Sequence, residues 1–139
     1  MAMTIEVNQR AGPRQVSIVV LTGELDASNY ERLIEVCGVE YAGGSRGLVM
    51  DLAGLGFMAS SGLVALYAAE RIFRGEPPPD LEAGWQVIHD LEEETAAAAN
   101  VRLAALQAPV ERVLQRTGLI RLFPIDASTD VAILALQDA

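Results

Sequence analysis

The chain has 139 residues, 51% hydrophobic and 21% charged, a length and apolar content that suit one core of its own. Its net charge of −9, with ten arginines, no lysine and one histidine, argues against a nucleic-acid partner and removes lysine-based Schiff-base or P-loop chemistry. The lone Cys37 allows neither an internal disulfide nor a zinc set, and no apolar run approaches the ~20 residues that cross a bilayer. Met1 to Glu6 lacks the basic head and apolar stretch of a signal peptide, so a cytoplasmic location is expected, with no membrane partner. The acidity is local. Seven acids fall between Glu76 and Glu94 with no arginine among them, leaving twelve acids against ten arginines elsewhere.

Thr4 to Val7 and Val16 to Thr22 read as strands, the second rich in Val and Ile. Gly12-Pro13 between them predicts a hairpin. After Gly23-Glu24-Leu25-Asp26, the positions Tyr30, Leu33, Ile34 and Cys37 recur at helical spacing, with Asp26 or Ser28 available as a cap. Cys37 on this face reads as buried filler. Gly43-Gly44 breaks the chain before a third strand, Gly47 to Leu52. The small residues from Ala53 to Ala59 read as a loop leading to a helix from about Ser61 to Arg74.

A strand from Val101 to Leu106 follows. Pro109 opens a helix over Val110 to Arg116, which Gly118 ends. A short extended piece, Leu122 to Ile125, precedes a last helix from about Ser128. The order predicts an α/β domain over residues 1–139, a mixed sheet of about four to five strands packed with about four helices.

Residues 75–100 form an acidic insertion. Pro77-Pro78-Pro79 reads as a stiff spacer, and Asp80 as the cap of an extra acidic helix from Leu81. Leu81, Trp85, Ile88 and Leu91 trace one face of that helix. Packing against its own domain is the first expectation for this face; a homodimer or a partner surface is the alternative, and a loosely ordered loop the third.

Catalysis finds little support. One Cys and one His on distant segments cannot close on a metal ion, so no metal and no cofactor are expected. His89 lies in the insertion, and Ala59-Ser60-Ser61-Gly62 is no nucleophile elbow, so a hydrolytic triad fails too. Gly43-Gly44-Ser45-Arg46-Gly47 precedes a strand and is a turn, not a phosphate cradle. Glu24 and Asp26 could be paired as acid and base, but carboxylates in such loops commonly cap helices.

The informative stretch is Asp51 to Leu63, where Ser60 and Ser61 stand at the passage from loop to helix. The plain reading is that one of them is an N-cap, worth about 1 kcal/mol. The same position suits phosphorylation. A phosphoryl group adds about −1.5 to −2 charges, which first-turn amides and the positive end of a helix dipole can accept.

Three stretches together resemble one known family, the bacterial anti-sigma factor antagonists with STAS domains. They are Leu21-Thr22-Gly23-Glu24-Leu25-Asp26, then Leu48 to Leu52 with Phe57-Met58-Ala59-Ser60-Ser61-Gly62-Leu63, and finally Ala108 to Leu114 with Thr117-Gly118-Leu119 and Leu122-Phe123-Pro124-Ile125. The resemblance implies a STAS-type fold and a non-enzymatic binding role. It implies that Ser61, the hydroxyl before the glycine, is phosphorylated by an anti-sigma factor serine kinase, which breaks the complex between them, and that a serine phosphatase resets it. It further implies that Asp26 lies beside the same helix end and that Met58, Ser60 and Gly62 line the partner-binding surface.

Two departures stand out: Ala59 occupies a position where the family carries aspartate, and the insertion replaces a short turn. A STAS binding or scaffold module without a phosphoswitch, in a signalling assembly or a transporter, is the alternative function. A small nucleotide-binding enzyme is a weaker third.

Overall fold

The computed structural model describes residues 3–77 and 100–138. The expected acidic helix from Leu81, with Trp85 and His89, lies outside the described residues. Strands β1 (Met3–Arg10) and β2 (Val16–Leu25) form the predicted antiparallel hairpin. Helix α1 (Tyr30–Ala42) leads to β3 (Gly47–Met58) and then α2 (Ser60–Phe73). Strand β4 (Val101–Ala104), helix α3 (Ala108–Thr117), a 3-10 turn at Leu119–Leu122, β5 (Ile125–Asp126) and α4 (Thr129–Gln137) complete the order. The five strands lie in the order β1-β2-β3-β4-β5, with every pair after the first parallel. This is the mixed sheet expected from the sequence.

The central strands are buried on both faces, which is why Val16 to Leu21 and Leu48 to Met50 are near-continuous apolar runs. On one face Leu21, Leu48, Met50 and Leu103 pack with Leu33 and Cys37 of α1, Leu66 and Phe73 of α2, and Leu114 of α3. On the other, Val16, Ile18, Val49 and Ala104 pack with Ala132 and Leu136 of α4, with Val20 and Ile133 against them. Ser128 caps α4, its Oγ accepting from the Val131 amide at 3.3 Å. Gly118 ends α3 at φ +78°, a left-handed conformation that favours glycine.

The largest difference from the sequence reading is β3, which continues to Met58 where a loop was expected from Ala53. The cause is visible in the register with β2. Val20 faces Asp51, Thr22 faces Gly54 and Glu24 faces Phe57, so β3 gains one extra residue at each of two irregularities. Such bulges reset the inward–outward alternation. The buried residues here are Leu52, Leu55 and Met58, three apart instead of two, a spacing that hides a strand. Other boundaries moved less. Leu119–Leu122 is a 3-10 turn, and only Ile125–Asp126 extends as a strand.

Neither Asp26 nor Ser28 caps α1. The N-cap is Asn29, whose side chain does not cap because it turns back: its Oδ1 accepts from the Asp26 amide at 2.9 Å and its Nδ2 donates to the Glu24 carbonyl at 2.8 Å.

Candidate functional site

The parallel pairing of β2 and β3 ends at Leu25 and Met58, so both chains leave the sheet at the same edge. The Ala59 amide donates to the Leu25 carbonyl at 2.9 Å, which ties the residue before Asp26 to the residue before Ser60. Two sequence-distant motifs are thereby joined at the start of α2.

Helix α2 begins at Ser60, and its N-cap is Ala59, in extended conformation with no side-chain cap. Neither serine is the cap, contrary to the plain reading of the sequence. Ser60 is exposed and Ser61 half-buried, at the first and second helical positions. The Gly62 amide donates to the Ala59 carbonyl at 2.9 Å, whereas among the described residues the amides and hydroxyls of Ser60 and Ser61 have no partner. First-turn amides of a helix have no intrahelical acceptor, and the first turn of α2 holds no acidic residue. The helix therefore presents Ser61 with free donors and uncompensated positive dipole at its start.

Asp26 stands at the half-buried head of the neighbouring loop. Its Oδ1 accepts from the Ser28 hydroxyl at 2.5 Å and from the Ser28 amide at 2.9 Å. The hydroxyl bond first, then the amide bond, hold this carboxyl below the usual carboxylate range. Asp26 is thus a fixed anion engaged within its own loop.

Two of the four residues expected to line a partner surface are buried. Met58 is 2% exposed and sits in the core. Gly62 is also buried: a Cβ there would meet Met58 Cγ at 2.6 Å and Leu25 Cγ at 2.9 Å. Glycine suits this place because the Met58 and Leu25 side chains fill the space that a Cβ would take. Ser60 and Asp26 remain accessible. The sequence reading passed over Phe57, the most exposed apolar side chain at this edge at 48%. Its signal was present as an aromatic next to the serines, but with Ala53 to Ala59 read as a loop, nothing indicated which way it faced.

A five-stranded mixed sheet with helices on both faces, whose neighbouring strands β2 and β3 end together beside the start of α2, defines a small α/β domain. A family model described as "STAS domain" matches residues 4–74, about half of the sequence. The chain belongs to the STAS family. No curated protein matches the sequence.

Among solved structures, it is similar to an anti-sigma factor antagonist from Mycobacterium paratuberculosis, at 23% identity and TM-score 0.66, over 99% of this chain and 96% of that one. It is similar to the Bacillus cell fate determinant SpoIIAA in the phosphorylated form, at 20% identity and TM-score 0.54, over 94% and 99%. It also resembles 18% of the murine anion transporter Slc26a9, at 16% identity and TM-score 0.61, over 89% of this chain. These likenesses show the shared fold. No described helix is long and apolar enough to cross a membrane.

Proposed function

We propose that this protein is an anti-sigma factor antagonist of the cytoplasm that binds an anti-sigma factor serine kinase and is switched off by phosphorylation of Ser61. A serine phosphatase restores the binding form, and the protein thereby regulates sigma-dependent transcription without itself catalysing a reaction. The observation that carries this reading is the start of α2, where a half-buried hydroxyl stands among unpartnered first-turn amides. A phosphoryl group there is received by donors that need no unfolding of the helix. Within a partner interface the same dianion is desolvated against surfaces shaped for a neutral hydroxyl, and the complex breaks. Asp26 and Ser60 form the accessible rim of that interface.

The test is phosphate transfer. Incubation with the anti-sigma factor serine kinases of the same genome and ATP adds one phosphate to the wild type and to Ser60→Ala, and none to Ser61→Ala. Full labelling of Ser61→Ala by an active kinase refutes the assignment of the acceptor. A second reading, a STAS binding module without a phosphoswitch, draws on Ala59 in place of the family aspartate and on the likeness to part of a transporter. Binding of the same partners with no phosphate transferred to any serine is its expected result.

A further inference from the structure

We propose that Phe57 is the apolar anchor of the partner interface, and that the partner offers it an apolar pocket rimmed by basic residues. This rests on the reading that an anti-sigma factor serine kinase binds the start of α2. Phe57 is the one exposed aromatic among the described residues, since Tyr67, Phe73 and Phe123 are buried and Tyr30 and Tyr41 half-buried. A single exposed apolar residue is ordinary on any protein. Its surroundings are not.

The bulges in β3 turn Phe57 outward between Leu55 and Met58, which are buried. On its own strand the neighbouring exposed residues are Ala53, Gly54 and Gly56, all too small to cover a ring. The aromatic therefore stands in a clearing, three residues before the exposed Ser60.

The charge around it has one sign. Glu24 is the register partner of Phe57 on β2, and register partners on adjacent strands share a face. Asp26 follows two residues later, held as an anion by Ser28. No arginine occurs from Val16 to Glu31, from Gly47 to Glu70 or from Ala104 to Glu111, the last stretch reaching this edge through Gln107, whose Nε2 donates to the Ala53 carbonyl at 2.7 Å. An aromatic knob with a polar rim is the arrangement that concentrates binding energy in protein interfaces. Carboxylates on that rim select a complementary basic surface and speed encounter with it. Phosphate on Ser61 would then add to the negative side of the same edge, so Phe57 supplies attachment and Ser61 the release.

The experiment measures affinity by calorimetry for the purified anti-sigma factor serine kinases of the same genome, without ATP so that no phosphate moves. Phe57→Ala weakens binding about tenfold or more, Phe57→Leu loses less than Phe57→Ala because part of the apolar contact is kept, and Glu24→Arg weakens binding with a reduced dependence on salt. Because Phe57 is outside the core, circular dichroism and thermal melting of each variant should match the wild type. Wild-type binding with Phe57→Ala within twofold overturns this inference alone and leaves the proposed function standing. A wild type that binds none of the kinases overturns both.

Discussion

Replacing Ala59 with Asp tests the geometry at the head of α2 without touching either serine. Residue 59 is the N-cap, its backbone is extended as a cap requires, and its side chain contributes no hydrogen bond. A carboxylate there would accept from the Ser61 amide, which has no partner among the described residues. Caps of this type contribute about 0.5–2 kcal/mol, typically about 1 kcal/mol. The first turn of α2 carries no competing acid, so the dipole should favour the new charge by about 0.3–1 kcal/mol within that total.

The expected gain is therefore about 1 kcal/mol, or a few degrees in melting temperature for a domain of this size. Urea denaturation with an unchanged m-value measures it. Ala59→Asn separates hydrogen bond from charge, and should keep most of the gain. The added acid has an opposite effect on the phosphorylated protein, where it occupies a donor the phosphate would use and repels the dianion. Phosphorylation at Ser61 should thus destabilise Ala59→Asp relative to its effect on the wild type. Equal or lower stability of both cap variants would show that the Ser61 amide is not open to a side chain at residue 59, and the argument for phosphate reception would fall with it.

Two further perturbations address packing. Gly62→Ala places a methyl within 2.6 Å of Met58 Cγ and 2.9 Å of Leu25 Cγ, and should cost about 1–3 kcal/mol in the same denaturation assay; a neutral result would mean that the two side chains rearrange freely. Cys37 is buried, and burial first, then the neighbouring Glu40, pushes its thiol up to about 12. It should resist alkylation by iodoacetamide at pH 8 until the chain unfolds. Because the folded thiol binds its proton more tightly than a free cysteine does, its contribution to stability is complete below the ordinary thiol range and falls as pH rises toward about 12. Rapid native labelling near pH 8 would contradict that environment.

The succession of strands and helices was legible because each depends on local features. Val16 to Leu21 shows a buried strand, Gly12-Pro13 a turn, and Pro109 with Gly118 the two ends of α3. What escaped was set by pairing across the sheet. The extra residues that β3 carries against β2 have no signature within β3 itself, so its last six residues resembled a loop and Phe57 was overlooked. Asn29 stands at the cap position expected of Asp26 or Ser28, but its side chain turns back to the Glu24 carbonyl and the Asp26 amide, partners that spacing alone does not show.

At the site, the motif indicated which residues meet but not which face outward. Met58 and Gly62 belong to the motif as packing partners, a role indistinguishable in sequence from surface contact. Ala59 was legible as a departure, but that it is the cap, and hence leaves amides open, needed coordinates.

The two described ends on either side of residues 78–99 meet at one place on the domain. Pro77 and Asn100 are both fastened to the last turn of α2, the first through its carbonyl to Arg71 Nε at 3.1 Å, the second through its Nδ2 to the Phe73 carbonyl at 2.8 Å. Asn100 is pinned again by the Leu48 amide at 2.8 Å and by Arg14 at 3.2 Å. A chain that departs and returns at one clasp adds closure entropy that grows only slowly, by about 0.6 kcal/mol per doubling of length. The entropic cost of a longer connection between Pro77 and Asn100 is therefore small, because both ends are already held at one clasp on α2.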